Sequence, residues 1–260
     1  MNNSEKPKNY GIETRSIHAG ARPDPVTGAR NTPIFQTTSY AFDNAEQAAD
    51  LFNLSQFGFI YSRLNNPTVA VLEERIAALE NGSAAVAAAS GHAAQFLTFF
   101  TLLEPGDEFV ASQALYGGSL TQFGSSFKRL GWNCHFVDPT DPANFEKAIT
   151  PNTKAIFLEV LANPRSSVVD LEKVADIGKN ACIPVIVDNT MASPYLHNPI
   201  EWGADIVIHS TTKYLSGHGT SMGGIVVESG QFDWASGDKF PSLTEPEPAY
   251  HGLNFYETFG

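Results

Sequence analysis

The chain has 260 residues, enough to bury a sizeable core, and its hydrophobic content of 42% is ordinary for a globular protein. Its formal net charge of −12, with no basic cluster, argues against nucleic acid and anionic membrane surfaces as partners. No apolar run approaches the ~18 residues of a membrane span, and the first residues lack the apolar core of a secretory signal.

The first 58 residues carry little hydrophobic patterning. Residues 44–52 are compatible with a short helix, and the rest is interrupted by turn residues (Pro23, Pro25, Gly28, Pro33). Such a segment cannot bury a core alone, so residues 1–58 are predicted to form an arm that lies across another surface. A partly disordered tail is the alternative. Residues 59–260 are predicted to form one large domain.

A helix is predicted to begin at Pro67. Asn66 is a good N-cap, proline suits the first helical position, and Gly82 is expected to end the helix. Apolar residues recur along one face of this stretch, at Val69, Leu72, Ile76 and Leu79. Tyr61 and Arg63 precede the helix in an extended loop. Taken alone, this tyrosine and arginine indicate no function.

A glycine opens the next predicted helix. The small-residue run 83–89 leads to Ser90, Gly91 and His92, and the apolar stretch 93–103 follows. Because glycine has no Cβ atom, the backbone can approach an anion there, and the first N–H groups of the helix point towards it. The pattern indicates either an anion site or an ordinary turn.

Strands and helices then alternate along the chain. After a helix with Phe123, Phe127 and Leu130 on one face, helices are predicted at 144–149 and 171–180. The β-type runs between and around them are 108–111, 134–137, 155–160, 185–187, 206–208 and 225–227. Strands separated by helices predict βαβ crossovers, and therefore an α/β fold with a mainly parallel mixed sheet and helices on both faces.

The cysteines and histidines suggest no structural bridge or metal. Cys134 and Cys182 lie in or beside apolar runs and are interpreted as small buried residues of a reducing compartment, which predicts a cytoplasmic protein. The seven histidines show no metal-ligand spacing. The glycines at 217–224 miss the dinucleotide-binding pattern and precede a strand, which argues against a nicotinamide-dependent oxidoreductase.

Two charged residues follow adjacent apolar strands. Asp188 ends the run 183–187, and Lys213 follows a hydroxyl-rich turn that contains Ser210 and Thr212. Open α/β sheets bind ligands at this edge, and a buried carboxylate needs a partner. Together these residues predict a pyridoxal phosphate (PLP) site, with Lys213 as the covalent attachment point, Asp188 pairing with the pyridine nitrogen, and the hydroxyls holding the phosphate. A solvated lysine and a capping aspartate are the alternatives.

The segment Asp205 to Gly219, which contains Lys213, resembles the lysine signature of the Cys/Met-metabolism family of PLP-dependent enzymes. The resemblance implies the fold-type I architecture, an αβα sandwich. It also implies homo-oligomers, with a dimer of dimers expected, in which the N-terminal arm contacts a neighbouring subunit. Members of the family continue into a small C-terminal domain with an arginine for the substrate carboxylate, and this domain is expected to be missing or truncated here.

The resemblance also implies roles for individual residues. Tyr61 and Arg63 match an element that reaches the phosphate in the neighbouring subunit's site, and a guanidinium suits a dianion. Gly91 and His92 match the backbone phosphate cup. Tyr116 matches the aromatic residue that stacks on the pyridine ring, with a core tyrosine as the alternative.

Two further residues belong to a Glu-x-x-x-Asn-Pro element. Asn163 matches the residue that contacts the cofactor's phenolic oxygen and the substrate carboxylate, whereas the role of Glu159 is less clear. Without the resemblance, Asn163 and the proline after it would indicate a plain turn.

The expected reaction follows from the same resemblance. His92 followed by Ala-Ala-Gln is typical of the O-acetylhomoserine branch, and Gly118 stands where methionine γ-lyases typically have cysteine. The expectation is γ-replacement on O-acetylhomoserine by sulfide or a thiol, giving homocysteine or methionine, with Lys213, Asp188 and Tyr116 as catalytic residues. Cystathionine synthesis or γ- or β-elimination at the same site is the first alternative. A truncated, non-catalytic PLP-binding fragment is the second.

Overall fold

The computed structural model describes residues 10–259, and they divide into two compact units, with the boundary in the chain between Leu79 and Glu80. The helices of the first unit are α1 (Ile12–His18), α2 (Ala45–Phe52) and α3 (Pro67–Glu80), whose last residue opens the second unit. The short helix expected at 44–52 is present, and Asn44 caps it by accepting the Gln47 N–H. Helix α1 was not expected from the sequence.

Helix α3 begins where the sequence predicts, because the Asn66 side chain accepts the Thr68 N–H at 2.9 Å. Its end differs by one residue. Asn81 adopts the left-handed conformation (φ 58°), and Gly82 serves another purpose. A Cβ atom on Gly82 would lie 2.8 Å from the Glu228 carbonyl oxygen, so glycine allows two backbones to pack directly.

Only part of the expected apolar face of α3 is buried within the chain. Ile76 and Leu79 are buried, whereas Val69 and Leu72 each remain 40% exposed. The helical spacing of these apolar residues is confirmed. Within the described residues, however, the two nearer the amino terminus of α3 are not part of a buried core.

The second unit is built around one seven-stranded sheet of order β1-β7-β6-β5-β4-β2-β3. The strands are β1 (Ala84–Ala88), β2 (Glu108–Ser112), β3 (Asn133–Val137), β4 (Thr153–Glu159), β5 (Val185–Asp188), β6 (Ile206–His209) and β7 (Gly224–Glu228). Only β7 runs antiparallel, to both β6 and β1. The mainly parallel mixed sheet is confirmed, although the alanine-rich β1 was not expected.

Helices cover both faces of the sheet. The α-helices of the second unit after α3 are α4 (Gly91–Leu102), α5 (Gly117–Thr121), α6 (Ala143–Ala148), α7 (Leu171–Asn180), α8 (Ser193–Leu196), α9 (Pro241–Thr244) and α10 (Phe255–Phe259). Phe99 of α4 packs on Phe109 and Phe157, at ring-centroid distances of 4.3 and 6.0 Å. On the other face, Gly178 of α7 approaches Ile156, whose side chain points away from that of Phe157.

The helix expected around Phe123 is irregular. After α5 the chain forms one π-turn, Gln122–Ser126, and one 3₁₀ turn, Phe127–Leu130, before Gly131 takes a positive φ of 82°. Phe123 and Phe127 are buried as expected, whereas Leu130 is exposed. Throughout the described part of the chain, no helix combines the length and apolarity needed to cross a bilayer.

Candidate active site

The carboxyl ends of the parallel strands bring most of the expected site residues together. A cavity of about 240 Å³ opens there. Its lining includes Gly91, His92, Tyr116, Asn163, Asp188, Ser210, Thr212 and Lys213, together with Ser90, Gln95, Ser119, Glu159, Leu161, Thr190, Met191 and Met222. The register of the strands sets Glu159 directly opposite Asp188. Two acidic side chains therefore enter the cavity side by side.

The amino terminus of α4 supplies N–H donors to the cavity. Ser90 caps the helix by accepting the Ala93 N–H at 3.1 Å. Gly91 and His92 occupy the first two helical positions, whose N–H groups have no intrahelical acceptor. A Cβ atom on Gly91 would lie 2.8 Å from the Ser210 Cβ, so glycine lets this turn pack against the end of β6. The geometry suits an anion.

Lys213 lies in the turn that follows β6. Its backbone N–H donates to the Ser210 carbonyl at 3.2 Å, and Gly217 donates to the Lys213 carbonyl at 2.9 Å. The residue is exposed, and its amine forms no hydrogen bond or ion pair with any other described residue. The amine is therefore available to a ligand in the cavity.

The two hydroxyl residues of this turn differ in their hydrogen bonding. The Ser210 side chain has no hydrogen-bond partner within residues 10–259, while its backbone N–H donates to the Thr190 hydroxyl at 2.8 Å. The Thr212 hydroxyl accepts the Gly223 N–H at 3.1 Å and donates to the Gly223 carbonyl at 3.2 Å. To donate to a phosphate, Thr212 must turn its proton away from Gly223.

Asp188 is held by neutral donors. Its Oδ1 accepts the Thr190 N–H at 2.9 Å, and its Oδ2 accepts the Gln95 side-chain amide at 3.3 Å. The same Gln95 nitrogen lies 3.0 Å from the Ser119 hydroxyl. No cation is paired with Asp188 among the described residues, so the carboxylate can pair with a positively charged group of a ligand.

Gln95 and Ser119 were not identified from the sequence. Gln95 is one helical turn beyond Gly91, so the i to i+4 spacing places both on the same face of α4. That spacing is a usable signal once Gly91 is assigned to the cavity. Ser119 carries no comparable signal, because its contact with Gln95 exists only in the folded chain.

Glu159 holds two separate loops. Its Oε1 accepts the Tyr116 N–H at 2.6 Å and its Oε2 accepts the Asn163 N–H at 2.9 Å. Burial and, to a smaller extent, the charge of Asp188 raise the pKa of Glu159 to about 7, although both hydrogen bonds oppose the shift. The sequence had left its role open, and the structure makes it the common anchor of Tyr116 and Asn163.

Tyr116 is not a core residue, because 49% of its surface is exposed. Its ring lies 5.8 Å from the His92 ring, with the two planes inclined at 66°. Gly118 packs beneath both rings. A Cβ atom there would collide with Tyr116 Cε1 and lie 2.6 Å from His92 Cε1, so the position has no room for a side chain.

A buried polar cluster lies behind the cavity, and it was also missed from the sequence. His209 Nε2 lies 2.6 Å from Glu80 Oε1, and both side chains are fully buried. The Asn189 amide donates to the same carboxylate oxygen at 2.8 Å. His209 and Asn189 directly adjoin Ser210 and Asp188 in the chain, so the cluster ties together the strand ends that carry the cavity residues.

Tyr61 and Arg63 belong to the first unit, outside the lining of the cavity. The Arg63 guanidinium carbon lies 5.4 Å from the centroid of the Tyr61 ring, within the range of a cation–π contact. Their contribution to a neighbouring subunit's phosphate site stays a prediction, as does the role of residues 1–58 as an arm. Residues 1–9 of that arm lie outside the described residues.

Comparison with known proteins decides the family. The model of the Cys/Met metabolism PLP-dependent enzymes matches residues 13–248, which is most of the chain. The chain belongs to this family. Membership identifies PLP as the cofactor and confirms the expected fold-type I architecture.

Relatives within the Cys/Met metabolism family agree with the branch expected from the sequence. An O-acetyl-L-homoserine sulfhydrylase of Leptospira meyeri is 50% identical over 98% of this chain and 57% of its own length. A homocysteine synthase of Schizosaccharomyces pombe is 47% identical over 96% of this chain and 58% of its own length. The chain thus spans less than three-fifths of these curated relatives.

A solved structure from Campylobacter jejuni, described as an O-acetylhomoserine (thiol)-lyase, contains a pyridoxyl-lysine monophosphate residue. It superimposes on this chain with a TM-score of 0.93 at 39% identity, covering 96% of this chain and 61% of that one.

The residues around the cavity fit PLP. The α4 amino terminus and Ser210 offer donors for a phosphate, the exposed Lys213 amine has no partner among the described residues, and Asp188 lacks a cation. The glycine at position 91 is needed for this arrangement, since any side chain would meet Ser210. Residues 10–259 contain no group of three or more histidine, cysteine or acidic side chains placed to hold a metal ion.

Proposed function

We propose that this chain carries the PLP-binding part of an O-acetylhomoserine sulfhydrylase, which replaces the acetate of O-acetylhomoserine with sulfide or a thiol. The products would be acetate and either homocysteine or a homocysteine thioether such as methionine. The proposal is supported by the identity to sulfhydrylases over nearly the whole chain, and by the absence of a side chain at Gly118 beneath Tyr116.

The proposed cofactor contacts use the residues around the cavity. Lys213 would attach the cofactor covalently, and Asp188 would pair with its ring nitrogen. The N–H groups of Gly91 and His92 and the Ser210 and Thr212 hydroxyls would hold the phosphate. When bound, PLP supplies an aldehyde that links to amines and a ring that accepts electrons from the substrate's Cα.

The chain's own residues would move protons and orient the substrate. The Lys213 amine would take the proton from the substrate's Cα, a step for which general base catalysis contributes roughly 10² to 10⁴ in rate. Asp188 would keep the ring nitrogen protonated, which strengthens the ring as an electron acceptor. Tyr116 would lie against the ring and relay a proton, and the Asn163 amide would contact the phenolic oxygen and the substrate carboxylate.

The assembly proposed for this reaction is a homo-oligomer, a dimer of dimers, in the cytoplasm. Tyr61 and Arg63 would then reach the phosphate in the neighbouring subunit's site, as the sequence resemblance implies. Because a guanidinium donates two parallel hydrogen bonds, Arg63 suits a phosphate dianion better than a lysine would.

The observation that carries the proposal is the convergence of Lys213, Asp188 and the α4 amino terminus on one cavity. The experiment uses the purified 260-residue chain incubated with PLP. We expect absorbance near roughly 420 nm, as for a lysine-linked cofactor. After borohydride reduction, peptide mass spectrometry should locate the pyridoxyl group on Lys213.

Two variants complete this test. Lys213→Ala should lose the absorbance and the reduced adduct, whereas Lys147→Ala, which changes an exposed lysine on α6, should keep both. A Lys213→Ala protein that retains the adduct would refute the assignment. Product analysis with O-acetylhomoserine plus sulfide, compared with cystathionine or methionine alone, distinguishes replacement from elimination.

A further inference from the structure

We propose that Glu159 is a positioning residue that fixes Tyr116 and Asn163 relative to each other across the cavity. The inference deepens the proposed function, because Tyr116 and Asn163 are the residues assigned to the cofactor ring and the substrate carboxylate. Glu159 itself would act through their backbones, without being the base or acid of the reaction.

The hydrogen bonds of Glu159 carry this inference. One carboxylate oxygen accepts the Tyr116 N–H at 2.6 Å and the other accepts the Asn163 N–H at 2.9 Å. Tyr116 begins the turn into α5 after β2, whereas Asn163 belongs to the loop after β4. A single side chain, itself only 4% exposed, therefore joins two loops that come from different strands.

Only an ionised carboxylate can accept the Tyr116 N–H and the Asn163 N–H at the same time. It presents two acceptor oxygens, whereas a protonated acid or an amide of the same shape presents one free acceptor and one donor. Opposite a backbone N–H, the donor would leave that N–H unpaired and release its loop. The titratable groups that share the cavity lining with Glu159 include Asp188 on β5, His92 on α4 and Lys213 after β6, and the charge of Asp188 favours protonation of Glu159.

The first test follows the Tyr116 N–H directly, in the full chain without cofactor. With ¹⁵N-tyrosine labelling, the chain has eight tyrosine amides to resolve, and Tyr116→Phe identifies the signal of interest. In the wild type, the Tyr116 amide proton should shift with pH around the pKa of Glu159, which is about 7. In Glu159→Gln the shift should lose this pH dependence.

Glu228→Gln is the matched control. Glu228 is partly buried and lies beside the amino-terminal end of β6, outside the cavity lining. It accepts one backbone N–H, from Gly230 at 2.7 Å, and forms a side-chain hydrogen bond with Trp234. Neither bond involves a residue of the cavity, so this variant should leave the titration of Tyr116 unchanged. If the Tyr116 amide titrates identically in wild type and Glu159→Gln, the hydrogen bond does not exist and the proposal is overturned.

The second test measures PLP affinity by fluorescence. We expect Glu159→Gln to bind PLP about ten-fold more weakly than wild type, which corresponds to ~1.4 kcal/mol, and Glu228→Gln to bind within two-fold. Glu159→Asp keeps two acceptors and should recover part of the loss. It also serves as the test variant if Glu159→Gln fails to fold.

The two tests fail in distinguishable ways. Wild-type affinity in Glu159→Gln or in a folded Glu159→Asp would overturn the positioning role. If the wild type itself binds no PLP, the proposed function fails. The amide titration would still show whether Glu159 holds the Tyr116 loop.

Discussion

The side-chain amide of Gln95, on α4, donates to Oδ2 of Asp188 at 3.3 Å, while the backbone N–H of Thr190 donates to Oδ1 at 2.9 Å. The same amide nitrogen also donates to the Ser119 hydroxyl. Ser119 therefore orients the Gln95 side chain, which in turn orients the Asp188 carboxylate. Both donors are neutral, so they hold the carboxylate of Asp188 in place without pairing it with a cation. The contact is therefore expected to matter for any cationic ligand group that Asp188 meets.

Gln95→Glu is predicted to weaken PLP binding at pH 7 more than Gln95→Leu does. The glutamate places a second carboxylate against that of Asp188 and replaces an attractive contact with repulsion, whereas leucine only removes one hydrogen bond. We expect the affinity for PLP to fall roughly ten-fold or more in Gln95→Glu, and roughly three- to ten-fold in Gln95→Leu. Fluorescence titration checks this, with exposed Gln231→Leu as the control. Equal affinity of Gln95→Glu and wild type would contradict it.

Gly118→Ala and Gly117→Ala form a second pair with opposite expectations. A methyl group on Gly118 would displace the rings of His92 and Tyr116, whereas one on Gly117 meets no atom within 4 Å. Because Tyr116 is half exposed, it can move, and we expect unfolding free energies within about 1 kcal/mol of wild type for both variants. The absorbance of bound PLP should change only in Gly118→Ala. An altered spectrum in Gly117→Ala would argue against this packing.

The buried pair of His209 and Glu80 is predicted to dominate the stability of the strand ends. Among residues 10–259, His209→Leu leaves the buried Glu80 carboxylate with the Asn189 amide as its one hydrogen-bond partner, which should cost about 3–5 kcal/mol. Adding Glu80→Gln to His209→Leu should recover part of this loss, because it removes the unpaired charge. Urea denaturation measures both, with exposed His18→Leu as the control. A loss below 1 kcal/mol in His209→Leu would contradict the prediction.

Asp205 is predicted to make stability fall as pH rises. Burial is the main reason that its pKa rises from 3.8 to about 6, and Glu228 adds to it, while the Val185 N–H opposes it. The folded state then holds the proton more tightly than the unfolded state, so this contribution is complete below pH 3.8 and is lost as pH passes 6. The full shift corresponds to at most about 3 kcal/mol.

Asp205→Asn tests this sign. Asparagine keeps an oxygen to accept the Val185 N–H and carries no charge, so the variant should match the wild type at pH 4 and exceed its stability at pH 8 by about 1–2 kcal/mol. Urea denaturation across this range is the measurement. A variant less stable than wild type at pH 8 would show that the charge of Asp205 is favourable.

Many helices and strands of the second unit can be predicted from local sequence patterns. Helix α7 occupies the predicted residues 171–180, because Asp170 caps its first turn and its apolar spacing is regular. Strand β1 was missed because a run of alanine has no preference for strands and is paired only through β7, far along the chain. Residue type and neighbouring sequence cannot reveal such a partner.

The site shows the same difference between features set by local sequence and contacts made with distant segments. Asp188 ends strand β5 and Lys213 lies in the turn after β6, positions that the sequence displays. The contacts of Gln95 and Glu159 instead depend on residues from distant segments. Glu159 accepts N–H groups from Tyr116 and Asn163, and no local spacing predicts that a backbone group rather than a ligand is its partner. Residues that hold the cavity together are therefore harder to predict than residues that face into it.

The antiparallel strand β7 has a consequence for synthesis of the chain. Strand β1 emerges from the ribosome early, yet its partner in the sheet is β7, and β6 also has one edge open until β7 arrives. Closing so long a loop is slow, and open strand edges invite pairing with other chains. A nascent chain stalled before residue 224 would therefore leave β1 without a partner and one edge of β6 open, the condition in which a chaperone would be most needed.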